Sequence, residues 1–324
     1  MCTAITYYTE DHYFGRNLDL EYSYRETVTV TPRNYPFKFR KAGEKKNHYA
    51  IIGMAYVFEN YPLYYDAMNE EGLGVAGLNF PGNAEYNKEV AGKDNIGSFE
   101  FIPWILSQCA TVSQAKTLLK RINLAQIDFS ESLKASPLHW IIADKTSAIT
   151  VECVKEGLKV YDNPIGVLTN NPTFDYHMTN LANYMNLSVE QAQNNFSKTL
   201  KLTPYSRGMG AMGLPGDLSS ASRFVKAAFT KTNSLSGKTE AESISQFFHI
   251  LGAVEQQRGC VHMGNGAYEI TIYSSCCNLD KGIYYYKTYE NSQITGIDMH
   301  KENLDGDALV NFVLLKGQHI NMQN

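Results

Sequence analysis

Cysteine and tryptophan are scarce: six and two in 324 residues. The cysteines (Cys2, Cys109, Cys153, Cys260, Cys276, Cys277) contain no CxxC pair, so a disulfide scaffold is excluded and free thiols in a reducing compartment are expected. No stretch of 18 apolar residues occurs, and a membrane-spanning helix is not expected. Residues 1–15 carry Glu10 and Asp11 where a secretory leader has its apolar centre, which makes the cytoplasm the expected location. There is no basic run of the kind that tracks phosphates, and 29 Lys plus Arg against 33 Asp plus Glu leave a net charge of -4. Nucleic acid is therefore not an expected partner.

Standard motifs are missing as well. The chain has no HExxH, Walker loop or G-x-S-x-G, and its eight histidines are scattered. Cys260-Val261-His262 is a lone Cys-x-His and reads as strand packing, so no metal and no cofactor are expected. A literal G-x-G-x-x-G at Gly208, Gly210 and Gly213 runs into Leu214-Pro215-Gly216. A pyrophosphate site needs a helix to begin there, so the segment reads as a flexible loop.

What is present is a globular composition, 44% hydrophobic, 12% aromatic and 19% charged, which excludes disorder. The first eighty residues read as strands: Thr3 to Tyr8, Tyr13 to Leu20, His48 to Glu59, and a hairpin from Tyr64 to Asn79 turning at Glu70-Glu71-Gly72. A helical region from Phe99 to Ile122 breaks near Ala110-Thr111, where Thr111 or Ser113 can cap its second half. A meander follows at Leu138 to Asp144, Ala148 to Val154 and Leu158 to Tyr161. Helices are expected at Asp175 to Met185, Ala221 to Thr232 and Glu240 to Val254, then strands at Ala267 to Ser274, Gly282 to Thr288 and Ile294 to Met299. Blocks of strands separated from blocks of helices predict an α+β fold with antiparallel sheets. No linker or repeat divides the chain, so residues 1–324 form one expected domain. The long polar loop 194–220 is the expected functional or assembly surface.

Cys2 carries the most chemical information. A residue this small permits removal of the initiator methionine, leaving a thiol and a free α-amine on one residue. With an ordinary amine pKa of about 7.7 to 8.0 and a thiol near 8.5, the first can take a proton from the second. Arg16 and Asp19 lie on the strand expected to return beside Cys2, the arginine to favour a thiolate and the carboxylate to orient the amine. Their separation of three puts them on opposite faces of a regular strand, so a bulge or turn is expected if both serve one site. Read on its own, the pair is more readily an ordinary surface ion pair than part of a site.

These segments resemble choloylglycine hydrolases over essentially the whole length. The likeness is carried by Met1-Cys2-Thr3, Phe14-Gly15-Arg16-Asn17-Leu18-Asp19, Met68-Asn69-Glu70-Glu71-Gly72-Leu73-Gly74, Gly77-Leu78-Asn79-Phe80-Pro81 and Leu168-Thr169-Asn170-Asn171-Pro172. It continues through Gly213-Leu214-Pro215-Gly216-Asp217, Ser220-Ala221-Ser222-Arg223-Phe224 and Gly282-Ile283-Tyr284-Tyr285-Tyr286. Within that family the chain is most similar to the conjugated bile salt hydrolases of Gram-positive gut bacteria. The resemblance implies a four-layer αββα N-terminal-nucleophile sandwich, a homotetramer, and release of glycine or taurine from a conjugated bile salt, without a cofactor or a membrane partner. It implies Cys2 as nucleophile and base, Arg16 beside the sulfur, Asp19 at the amine, Asn79 and Asn170 as oxyanion donors, and Arg223 as a charge behind the thiol. Asn170 is preferred to Asn171 because it directly follows Thr169. Leu18, Tyr24, Phe58 and Tyr65 are the implied steroid contacts. Penicillin V acylase activity is the alternative within the family, against which Asn79 argues, and a non-catalytic sterol-binding protein is the alternative outside it.

Overall fold

A computed structural model describes residues 1–264 and 266–324. In chain order the strands of the two main sheets are β1 (Cys2–Tyr8), β2 (His12–Leu20), β3 (Thr27–Thr31), β4 (Ile51–Phe58), β5 (Tyr61–Asn69), β6 (Gly74–Asn79), β7 (Leu138–Ala143), β8 (Ala148–Val154), β9 (Gly157–Asp162), β10 (Val167–Leu168), β11 (Ile270–Asn278), β12 (Ile283–Thr288), β13 (Asn291–Asp298) and β14 (Val310–Val313). The helices are α1 (Phe101–Leu106), α2 (Val112–Leu119), α3 (Phe174–Asn180), α4 (Ser220–Asn233) and α5 (Glu240–Gly252).

One sheet has six strands in the order β10-β1-β2-β11-β12-β13, and the other has eight in the order β9-β8-β7-β6-β5-β4-β3-β14. Neighbouring strands within both are antiparallel. The sheets face each other, α4 and α5 pack on the outer face of the first, and α1 packs on the outer face of the second. The molecule is an αββα sandwich, which is the α+β fold with antiparallel sheets that the sequence pattern predicts and the layering that the family resemblance implies.

Each inner strand is buried on both faces, which is why so many read as continuous apolar runs. Ala76 and Ile141 belong to the core between the sheets, while their neighbours Val75 and Ile142 join the outer core with Phe101, Ile105 and Leu119. On the opposite side Phe224 and Phe247 pack with Ile5 and Tyr13 of the six-stranded sheet.

Local signals act as expected. Thr111 caps α2 by accepting from Gln114 N at 3.2 Å. Asn69 at the end of β5 accepts from the backbone N–H groups of Glu71 and Leu73 and donates to the carbonyls of Leu106 and Cys109. It closes the β5–β6 turn and caps α1 with one side chain. The helical region is interrupted earlier than predicted, from Ser107 to Thr111, and Ile122 belongs to a short strand, Ile122–Leu124, paired with Asp94–Ile96. The expected helix at 175–185 is α3 followed by a 3-10 turn at Leu181–Tyr184. Strand β11 starts at Ile270 and runs past Ser274 to Asn278, with Ala267–Tyr268 forming a separate ribbon.

Candidate active site

Cys2 opens β1 in the middle of the six-stranded sheet, where it is 2% exposed and paired opposite Leu18. Residues directly opposite on antiparallel strands project to the same face, so Cys2, Leu18 and Arg16 all point between the sheets. The Arg16 guanidinium, with no exposed surface, donates to Cys2 Sγ at 2.5 Å through Nη2. Its other hydrogens go to the carbonyls of Tyr65 (3.0 Å), Asn17 (3.3 Å) and Gly77. Burial works against the Arg16 charge, but Cys2, Tyr273, Asp66 and Asp19 more than offset it, and its pKa lies above the ordinary arginine value. Behind it, Asp66 accepts from Tyr273 Oη at 2.5 Å, Tyr284 Oη at 2.8 Å and Ser275 Oγ at 2.9 Å.

Asp19 lies on the other face of β2. The bulge that the sequence reading calls for in this hairpin is not there: β2 stays in register with β1 from Leu18 to His12, and the irregularity falls on the neighbouring β11 between Thr271 and Tyr273. Both residues reach Cys2 because it is the first residue of β1, so Arg16 meets it from between the sheets and Asp19 lies on the helical side. Asp19 Oδ1 accepts from Thr271 Oγ1 at 2.7 Å. Its Oδ2 has no hydrogen-bond partner among the described residues and stands 4.0 Å from Arg223 Nη1. Burial raises the Asp19 pKa, against the pull of Arg223, the terminal ammonium and Thr271.

Arg223, near the start of α4, completes this side. Its Nη1 donates to Cys2 O at 2.5 Å and to Thr3 Oγ1 at 2.6 Å, its Nη2 to Asn170 Oδ1 at 2.8 Å, and its Nε to Leu218 O. Asn170, just past β10, accepts from Cys2 N at 2.8 Å through the same Oδ1, and its Nδ2 donates to Asn79 O at 2.7 Å. The neighbouring Asn171 turns away and donates to Pro81 O. Asn79 ends β6, exposed at the rim of the same site.

The Met1 ammonium donates to Asp19 O at 2.7 Å and pairs with the buried carboxylate of Glu269. Burial lowers its pKa, with Arg223 and Arg16 adding to that effect and Cys2 and Asp19 opposing it. Glu269 is a residue that sequence reasoning missed, because nothing in its local pattern distinguishes it from a surface glutamate.

A cavity of about 340 Å³ opens over the sulfur. Leu18, Tyr24 and Tyr65 line it as expected, together with Leu20, Tyr56 and Phe129. Phe58 does not reach it among the described residues: its ring meets Phe129 edge-on at 6.0 Å and supports the wall from behind. The wall formed by Phe129, Leu133 and Pro137 comes from the irregular segment after Leu124, which has no periodicity to reveal it. No group of three or more His, Cys, Asp or Glu able to hold a metal occurs among the described residues.

A buried thiol on the second residue, held under an arginine at the start of a strand of an αββα sandwich, defines an amidohydrolase of the N-terminal-nucleophile class. The chain belongs to the choloylglycine hydrolase family of linear amide C–N hydrolases, whose model matches residues 2–312. It is 59% identical to a bile salt hydrolase/transferase of Lactiplantibacillus plantarum, across 97% of each chain. A mutant conjugated bile acid hydrolase of Clostridium perfringens superposes with a TM-score of 0.93 at 42% identity, covering 100% of both chains. Penicillin V acylase of Agrobacterium tumefaciens, 19% identical with a TM-score of 0.77 over 97% of this chain and 92% of that one, shares the fold.

Proposed function

We propose that this chain hydrolyses the amide bond of glycine- or taurine-conjugated bile salts, with Cys2, freed of Met1, as nucleophile and base. The observation that carries the reading is the buried Cys2 Sγ under the Arg16 guanidinium, at the floor of a cavity walled by leucine, tyrosine and phenylalanine. A rigid hydrocarbon skeleton needs such a wall, and an arginine hydrogen bond favours the thiolate.

The Cys2 amine takes the thiol proton as sulfur attacks the amide carbonyl. The oxygen of the tetrahedral intermediate is held by the amide groups of Asn79 and Asn170, a donor of this kind being worth about 2.7 to 4 kcal/mol. The C–N bond breaks, and glycine or taurine leaves with the proton from the terminal ammonium. Water, deprotonated by the same amine, then opens the thioester and frees the bile acid. The thioester is also open to attack by another amine, and the relative named as both hydrolase and transferase favours that second outcome. Asn79 at the rim favours bile salts over penicillin V.

The loop 194–220 supports a homotetramer as the working assembly: it exposes Phe196 (85%), Tyr205 (83%) and Met212 (59%), an unusual set of apolar groups for a free surface. The sparse, unpaired thiols suit the cytoplasm. Ninhydrin detection of glycine released from glycocholate tests the activity. Cys2→Ala is expected to release none while retaining the parental circular dichroism spectrum, and Cys2→Ser to be slower by orders of magnitude. A Cys2→Ala chain at parental rate would remove the scheme.

A further inference from the structure

His139 and Glu152 sit across adjacent strands of the eight-stranded sheet, β7 and β8, each with no exposed surface. His139 Nδ1 lies 3.0 Å from Glu152 Oε1, and its Nε2 lies 2.9 Å from the carbonyl of Thr169. A carbonyl only accepts, so Nε2 is the donor to Thr169 and Glu152 fixes the ring from its other nitrogen. Glu152 Oε1 also accepts from the backbone N–H of Phe174 at 3.1 Å, while its Oε2 has no partner among the described residues. A buried pair left partly unsatisfied is a poor source of stability, since hydrocarbon side chains of the same volume do as well or better. Its position supplies the alternative reason. His139 holds the residue before Asn170, and its ring stacks at 4.1 Å on Phe80, the residue after Asn79. One imidazole therefore braces the backbone on which both proposed oxyanion donors stand.

We propose that His139, oriented by Glu152, is a positioning residue that fixes Asn170 against Cys2 and Asn79. The inference rests on the role given above to Asn170. If it holds, loss of the ring degrades transition-state stabilisation and leaves substrate binding and the sulfur's own reactivity alone, because Leu18, Tyr65 and Arg16 are elsewhere.

The test measures kcat and KM for glycocholate, and the rate of Cys2 alkylation by iodoacetamide followed by mass spectrometry, in His139→Leu, His139→Gln and Asn170→Ala. For His139→Leu, kcat is expected to fall about tenfold, the scale of one buried hydrogen bond, with KM and alkylation close to parental. His139→Gln, whose amide can still donate to the Thr169 carbonyl, is expected to recover most of the loss. A parental kcat in His139→Leu, an equal loss in His139→Gln, or an alkylation rate falling in step with kcat would each overturn the proposal. If His139→Leu does not fold, Glu152→Gln decides: a lower kcat at unchanged KM supports the pair, and a parental kcat overturns it. Asn170→Ala at the parental rate would overturn the reading of Asn170 itself, whereas an inactive Asn170→Ala beside an unaffected His139→Leu would overturn only the positioning role.

Discussion

At the scale of single residues, the site concentrates three charged groups, Arg16, Arg223 and Asp19, each fully buried, around the first turn of polypeptide. With Met1 in place, burial lowers the pKa of its ammonium, Cys2 and Asp19 oppose that, and Arg223 and Arg16 add to it. The proposed base, the Cys2 amine uncovered when Met1 leaves, would stand beside the same Arg16 and Arg223 groups, and like charges so close would lower its pKa and keep it unprotonated at lower pH. The acid limb of kcat/KM for glycocholate is expected well below the ordinary α-amine value of about 7.7 to 8.0; a limb above about pH 8 would contradict this. Cys2, Arg16 and Asp19 were candidates in the sequence because an arginine and an aspartate on the strand returning beside a second-position thiol could serve it, but only the family resemblance set them above an incidental thiol and a surface ion pair. Asn79, Asn170 and Arg223 were not legible from spacing at all: they come from β6, the end of β10 and α4, and only the resemblance to a known family singled them out. His139 and Glu152 were invisible for the same reason, since period-two strands bury polar residues without marking which ones meet.

The elements hold that grouping in place. Helix α5 begins with a capping box in which Thr239 Oγ1 accepts from Glu242 N at 3.2 Å and Glu242 Oε2 accepts from Thr239 N at 2.9 Å. Its far end anchors β2, where Asn17 Nδ2 donates to Leu251 O at 3.0 Å. Thr239→Ala is expected to cost about 1 kcal/mol in urea unfolding while leaving kcat unchanged. Gly15→Ala, in the middle of β2, is expected to be much worse, because its added Cβ would come within 2.0 Å of the Ser275 carbonyl. Long apolar strands and capped helices such as these were readable from periodicity. Thr27–Thr31, Val167–Leu168 and Val310–Val313 were missed, because short segments become strands through the neighbours they pair with and carry too few residues to show a pattern. The wall supplied by Phe129 and Leu133 escaped notice because an irregular segment has no period.

For the whole molecule, two sheets closed over a terminal residue leave the sulfur at the bottom of one apolar cavity, so fold and chemistry depend on each other. The loop 194–220 is the part of the surface left over. If the proposed tetramer forms through this loop, replacing Phe196 and Tyr205 with aspartate lowers the mass of the assembly measured by light scattering. An unchanged mass would remove that loop from the interface. The fate of the chain's first residue bears on everything else. Acid-quenched enzyme taken during turnover of glycocholate and weighed intact should lack Met1 and carry one cholyl group, traceable by peptide mapping to Cys2. A fully active chain that keeps Met1, or one that carries the acyl group on another residue, would contradict the account.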